Sequence, residues 1–198
     1  MGAAIAEKSA TFDKIRKVAA DQFCQIGYKG LGMRDLAAAV GIQVGSLYNH
    51  IENKQALLYE LISEYELDLL HIFRCKRLSR CDSAVQMNAL LWDKVSIYVS
   101  RSRNLAQLAR SESHYLNSAQ ALAVSDIRRS RMFQLQLLIA ECADDIGLSN
   151  QGLEKLCVEL HALLDCHINL EADPVTDPNK FVRRQLRNMA SMLLVKRD

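Results

Sequence analysis

The sequence predicts an all-α chain in which a small three-helix head precedes a larger helical body. Three observations carry this reading. Apolar residues recur at three- and four-residue spacing along most of the chain, only 2 prolines interrupt its 198 residues, and no alternating strand pattern competes. With 49% hydrophobic and 24% charged residues the chain can bury a core and does not resemble a disordered one. The length suits a head of about 55 residues plus a second, larger unit. The expected division is a flexible lead at 1–10, a head at 11–58 and a body at 59–198.

Taken in order, Phe12, Ile15, Ala19, Phe23 and Ile26 mark one face of a first helix, and Gly27 offers its stop. A second helix runs from Met33 to Val40, with Leu36, Ala37 and Val40 on one side before Gly41. A third follows from Val44 to His50 after a turn so short that the two must cross steeply. Asn53 can cap a fourth, in which Leu57, Leu58, Leu61, Ile62, Tyr65 and Leu69 keep the helical period toward Arg77. The body reads as helices near 83–102, 104–116, 118–146, 152–169 and 178–195. They are divided at Asn104, Asn117, Gly147 to Asn150 and Ala172 to Pro174.

A formal net charge of +2 is too small to signal nucleic-acid binding by bulk electrostatics, so any case for it rests on local placement. The basic clusters at Arg74 to Arg77, Arg128 to Arg131 and Arg183-Arg184 read as solvated helix faces. The 6 cysteines are scattered without a Cys-x-x-Cys pair, as reduced and mostly buried thiols are, which points to the cytoplasm. No run of about 18 apolar residues occurs, and no membrane partner is expected. The first residues show no hydrophobic stretch of signal length, and Ala6 stands where a myristoylation motif wants Ser or Thr.

Catalytic signatures are missing: there is no Gly-x-Ser-x-Gly elbow, no phosphate-cradling Gly-rich loop and no His-Glu-x-x-His. The chain therefore reads as no enzyme, with no cofactor. Cys157, His161 and Asp165 fall at i, i+4 and i+8 on one helix face, but three ligands spread over about two turns cannot close on one ion from a straight helix. A buried thiol and a hydrogen-bonded imidazole explain them more simply, and no metal is assigned.

The strongest signal runs from Gly27 to Lys54. Ala37 permits close helix approach, Gly41 permits the tight turn, and Ile42, Leu47 and Ile51 can pack the third helix onto the second. The opposite face keeps small or neutral polar groups that can enter a DNA major groove at little desolvation cost. Gln43 and Asn49 can hydrogen-bond base edges, Val44 can touch a thymine methyl, and Ser46, Tyr48, His50 and Lys54 can hold phosphates. Arg34 can reach a phosphate or an adjacent base.

At these residues the chain resembles the TetR family of transcriptional regulators. The anchors Ile15, Ala19, Phe23, Gly27, Tyr28, Leu36, Ala37, Gly41, Gly45, Leu47, Tyr48, His50 and Lys54 fall in order without gaps. Leu31 and Gly32 depart from the pattern where Thr or Ser is usual, which removes a hydroxyl cap. Gln43, Val44 and Ile51 replace a common Ser, Lys and Phe. The stretch 42–51 thus carries no formal charge with His50 neutral, so one head should bind weakly and depend on dimerisation. The resemblance implies a homodimer on a palindromic double-stranded operator, with half-sites about 34–36 Å apart. It also implies a body that binds a small-molecule effector and releases DNA when it does so.

In the body, Leu153, Leu156, Leu160, Leu163 and Leu164 on one helix and Phe181, Leu186, Met189 and Leu193 on the next form apolar stripes. They either complete the monomer core or pair across a two-fold axis, and the resemblance favours the interface. Trp92, Tyr98, His114, Tyr115, Met132, Phe133 and His161 are the candidate walls of a largely apolar effector pocket. The alternative function is a helical small-molecule carrier or interaction module whose head has lost DNA binding. Val44 and the neutral stretch favour that alternative, whereas Tyr48, His50 and Lys54 together oppose it.

Overall fold

The computed structural model describes residues 2–75, 84–141 and 158. In chain order these hold α1 (Gly2–Gly30), α2 (Met33–Val40), α3 (Val44–Leu47), α4 (Lys54–Phe73), α5 (Ala84–Arg101), α6 (Arg103–Ser111), a 3₁₀ turn (Ser113–Tyr115) and α7 (Ser118–Glu141). Every regular element among the described residues is helical, as the periodicity predicts. The candidate interface residues Leu153, Leu156, Leu160, Leu163, Leu164, Phe181, Leu186, Met189 and Leu193 lie outside the described residues, as do Cys157, His161 and Asp165.

The chain sorts into two compact units, Met1–Glu66 with Ser102–Asp126, and Leu67–Arg101 with Ile127–Asp198. The stretch 11–58 falls wholly in the first, together with α6 and the 3₁₀ turn. That unit is built on α1, whose Ile15, Ala19 and Phe23 are buried. The helix starts at Gly2, ahead of the Phe12 start read from the apolar face and within the expected flexible lead. Ala3, Ala4 and Ala6 have the highest helix propensity, which an apolar periodicity does not register.

Near its other end α1 is broken at Gly27, where φ 73 and ψ 167 lie in a region that Cβ-bearing residues avoid. The break redirects Tyr28 to Gly30 away from the helix axis. Arg16 braces α1 to α4: its guanidinium pairs with Glu64 and lies 3.8 Å from Glu60 Oε1 and from Asp13 Oδ1.

Gly32 caps α2 without a side-chain hydrogen bond, the consequence of losing a hydroxyl there. At the other end Gly41 adopts the left-handed conformation (φ 81, ψ 33), with open space where a Cβ would stand. Its backbone requirement is therefore conformational. The Gly41 amide donates to the carbonyls of Ala37 and Ala38, and the Ile42 amide to Ala37, each at 3.0 Å, which closes α2 and turns the chain into α3.

The third helix is shorter than the expected 44–50. Only Val44–Leu47 is α-helical, and Tyr48 to His50 tighten into a turn in which Asn49 donates to the Ser46 carbonyl and His50 to that of Leu47. The next helix follows at once, for the Asn53 side chain accepts the Ala56 amide at 2.8 Å. Along α4, Leu57, Leu58, Leu61, Ile62 and Tyr65 are buried. The helix ends at Phe73, short of Arg77. Asn117 and Gln120 cap α7 reciprocally, each side chain accepting the other's amide, at 2.9 and 3.2 Å.

In the second unit the buried residues keep helical spacing: Leu69, Leu70 and Phe73 on α4, Leu91, Val95 and Val99 on α5, Leu135 and Leu138 on α7. No helix among the described residues is long and apolar enough to cross a membrane.

Candidate nucleic-acid interface

Leu47, fully buried, anchors α3 on the head and fixes which of its sides faces out. Gln43, Ser46, Tyr48 and Asn49 are exposed as a result, Val44 is half-buried, and Arg34 on α2 is exposed as well. Tyr48 is 50% exposed. His50 is held differently, stacked on Phe12 of α1 with ring centroids 6.4 Å apart and planes inclined by 10°. The outcome is a surface of amide, hydroxyl and phenol groups on a short helix, with one guanidinium beside it.

Gly45 stands in this surface. A Cβ there would meet nothing within 4 Å. A glycine inside a helix costs about 1 kcal/mol relative to alanine, so the fold gains nothing by having it. The open space there leaves room for close approach of another molecule's backbone.

Lys54 does something other than wait for a phosphate. Its Nζ donates to the carbonyl of Tyr28 at 2.8 Å and to that of Leu31 at 2.9 Å, and lies 4.4 Å from the centre of the Tyr28 ring. Two of the three ammonium donors are thus committed to the segment that runs from Tyr28, past the break in α1, to Leu31. The residue pins that segment to the start of α4.

Around Tyr28 the contacts converge. Because Gly27 breaks α1, the Tyr28 amide is turned out of the helix ladder and donates to Glu112 Oε2 at 3.0 Å. Its ring stacks on Tyr115 at 4.7 Å and on Phe23 at 5.8 Å. Gln55 donates to the Tyr115 carbonyl at 2.8 Å, and the Lys29 ammonium lies 5.7 Å from the Tyr115 ring centre. Farther along, the Asn104 side chain donates to Asp21 Oδ1, and the Cys24 thiol donates to the Asn104 carbonyl at 3.2 Å. Burial first, then the Asp21 and Glu112 carboxylates, push the Cys24 thiol up to about 11, and burial raises the Tyr28 phenol.

The described effector candidates fall in both compact units. Tyr115 is engaged with Tyr28, and His114 is exposed against the edge of Tyr115, 4.0 Å away. In the second unit the Tyr98 hydroxyl donates to Asp68 Oδ2 at 3.1 Å, Met132 is half-buried and Phe133 is exposed. The Trp92 side chain and His161 lie outside the described residues. The Tyr28 cluster joins residues more than 80 positions apart, and no local pattern in the sequence announces it. The one available signal was Tyr28 directly after Gly27.

Residues 15–61 match the family described as bacterial regulatory proteins, tetR family. This match lies in the head and the first turns of α4. Over 84 residues it is 32% identical to the HTH-type transcriptional repressor KstR2 of Rhodococcus jostii (strain RHA1). The aligned stretch spans 42% of this chain and 41% of that repressor, so the sequence likeness covers less than half of either. At the level of fold the likeness covers most of the chain. A tetR-family regulatory protein from Rhodococcus RHA1 superposes with a TM-score of 0.78 at 20% identity, over 92% of this chain and 96% of the other. AibR, solved in complex with isovaleryl coenzyme A and operator DNA, superposes with a TM-score of 0.69 at 19% identity, over 92% and 96%. These two likenesses establish the fold alone.

Proposed function

We propose that the chain is a dimeric, sequence-specific DNA-binding transcriptional repressor that leaves a palindromic operator when a small-molecule effector binds its body. The observation that carries this reading is the exposed α3 surface of Gln43, Ser46, Tyr48 and Asn49 beside Arg34, set on a buried Leu47. Such groups read base edges and phosphates. In this reading 11–58 forms the head and 59–198 the effector and dimerisation body, and the protein works in the cytoplasm without catalysis.

With no formal charge in 42–51, the ionic contribution of one head is small, so two heads on one duplex are needed. Dimerisation is assigned to the apolar stripes from Leu153 to Leu164 and from Phe181 to Leu193. The effector class we favour is an acyl thioester, an apolar chain on a polar carrier, supported by the isovaleryl coenzyme A bound to AibR. Tyr98 and Met132 are the described candidates for its pocket. The carrier reading is not favoured, because a vestigial head has no reason to keep Tyr48 exposed on an otherwise well-anchored α3.

Selection from random duplexes at physiological salt tests the reading, and enrichment of a palindrome with half-sites one helical turn apart is expected. Failure to enrich any motif would favour the carrier. Light scattering should give a dimer, and a chain truncated before residue 152 a monomer. Isovaleryl coenzyme A, used as the probe, should release the selected duplex.

A further inference from the structure

We propose that Glu112 and Tyr115, which lie on α6 and its following turn and not on the reading surface, are positioning residues for operator binding. The inference rests on the DNA-binding reading above. Through Tyr28 they hold the loop that launches α2, and with it Arg34 and the packing on which α3 sits.

The argument begins at Gly27. Its left-handed backbone turns Tyr28 out of α1, and an amide removed from a helix ladder needs another acceptor. Glu112 supplies one from 84 residues away, with a carboxylate, the stronger kind of acceptor. Tyr115 covers the Tyr28 ring from one side while Lys54 lies over it, and Lys54 also holds the Tyr28 and Leu31 carbonyls. Gln55 completes the ring of contacts by donating to the Tyr115 carbonyl from the first turn of α4.

The loop 28–32 is therefore gripped from α4 by Lys54 and from the 112–115 segment by Glu112 and Tyr115. It has no side-chain cap of its own at Gly32 to fix where α2 begins. Without the second grip, the angle at which α2 sets off is held by Lys54 and by the burial of Leu31, Leu36 and Val40 only. Operator recognition requires side chains held to within about 0.5 Å. Removing Glu112 or Tyr115 should cost recognition although neither touches DNA.

The sign of the Glu112 effect separates positioning from bulk charge. A carboxylate acting on DNA only through its charge would weaken binding, so Glu112→Ala and Glu112→Gln would both bind more tightly, on any duplex. Positioning gives the opposite: Glu112→Ala weakens operator binding about tenfold, the scale of a charge-assisted hydrogen bond. Glu112→Gln recovers most of that loss, because its amide oxygen still accepts from Tyr28. Tyr115→Ala weakens operator binding and Tyr115→Phe restores it, since the phenyl ring keeps the stack.

The experiment is a titration of the full chain against the duplex enriched by selection and against an unrelated duplex of equal length, over a range of salt. The expected result is a loss confined to the selected duplex with the salt slope unchanged, as no phosphate contact is removed. In parallel, Glu112→Ala should speed amide exchange across residues 28–36 of the DNA-free protein, leaving α5 protected as before. Equal affinities for Glu112→Ala and Glu112→Gln, or unchanged exchange at 28–36, would overturn the inference. If the wild-type chain enriches no duplex, the DNA-binding reading falls, while the exchange result still decides whether Glu112 holds the loop.

Discussion

Two regions of the head use similar residues in opposite ways. On α3, Gln43, Ser46, Tyr48 and Asn49 stand exposed with their polar groups turned outward. Around Tyr28, the groups of Lys54, Gln55, Glu112 and Tyr115 turn inward on one another, part-buried and joined by bonds of 2.8–3.0 Å. Tyr48 and Lys54 belong to one short sequence pattern, yet one serves the surface and the other the scaffold. A motif marks where a function resides without dividing its residues between contact and support.

The comparison breaks most visibly at Lys54. Lys54→Met should destabilise the head by about 2 kcal/mol, the scale of hydrogen bonds to a charged donor, and weaken binding to the selected operator more than to an unrelated duplex. Urea unfolding with a parallel DNA titration measures both. A variant of normal stability that loses only DNA affinity would return Lys54 to the contact surface.

Next come Gln43 and Asn49, the proposed base readers. Gln43→Ala and Asn49→Ala should each cost about 1–2 kcal/mol of discrimination at one base position per half-site. Being exposed, they should leave stability within about 0.5 kcal/mol of wild type. Binding to single-position operator variants at fixed salt shows this, and uniform weakening on all of them would remove both residues from the base-reading role.

A smaller effect sharpens the contrast through its sign. Gly45→Ala should raise stability by about 0.5–1 kcal/mol, since the added methyl meets open space inside a helix, and should still weaken operator binding. Thermal melts and titrations on one preparation would show the two moving apart.

The smallest effect belongs to the support region and appears only at high pH. The Cys24 thiol is held protonated up to about 11 against an ordinary 9.0, so the folded state binds its proton more tightly than the unfolded chain. Its contribution is fully present below pH 9 and is lost as pH rises from 9 toward 11. Unfolding midpoints over that window, compared with Cys24→Ser, test it, as does slow reaction of the thiol with a disulfide reagent at neutral pH.

The sequence by itself determined the helical class and the order of elements through α7. Each of these depends on residues close together in the chain: a 3.6-residue apolar period, a left-handed Gly41, an Asn53 cap. It misjudged the start of α1, where alanine propensity extends the helix without an apolar face. It also overran α3, where the last turn tightens ahead of the next cap.

Only the tertiary structure decided which motif residues support and which reach outward. It engaged the Lys54 ammonium with the Tyr28 carbonyl, set Phe12 against His50 and stacked Tyr115 on the ring of Tyr28. The reason is physical. An exposed amide and one hydrogen-bonded to a residue 84 positions away leave the same trace in a local pattern. Long-range partners are chosen by packing, once α6 is laid beside α1 and the break at Gly27 presents an amide that needs an acceptor.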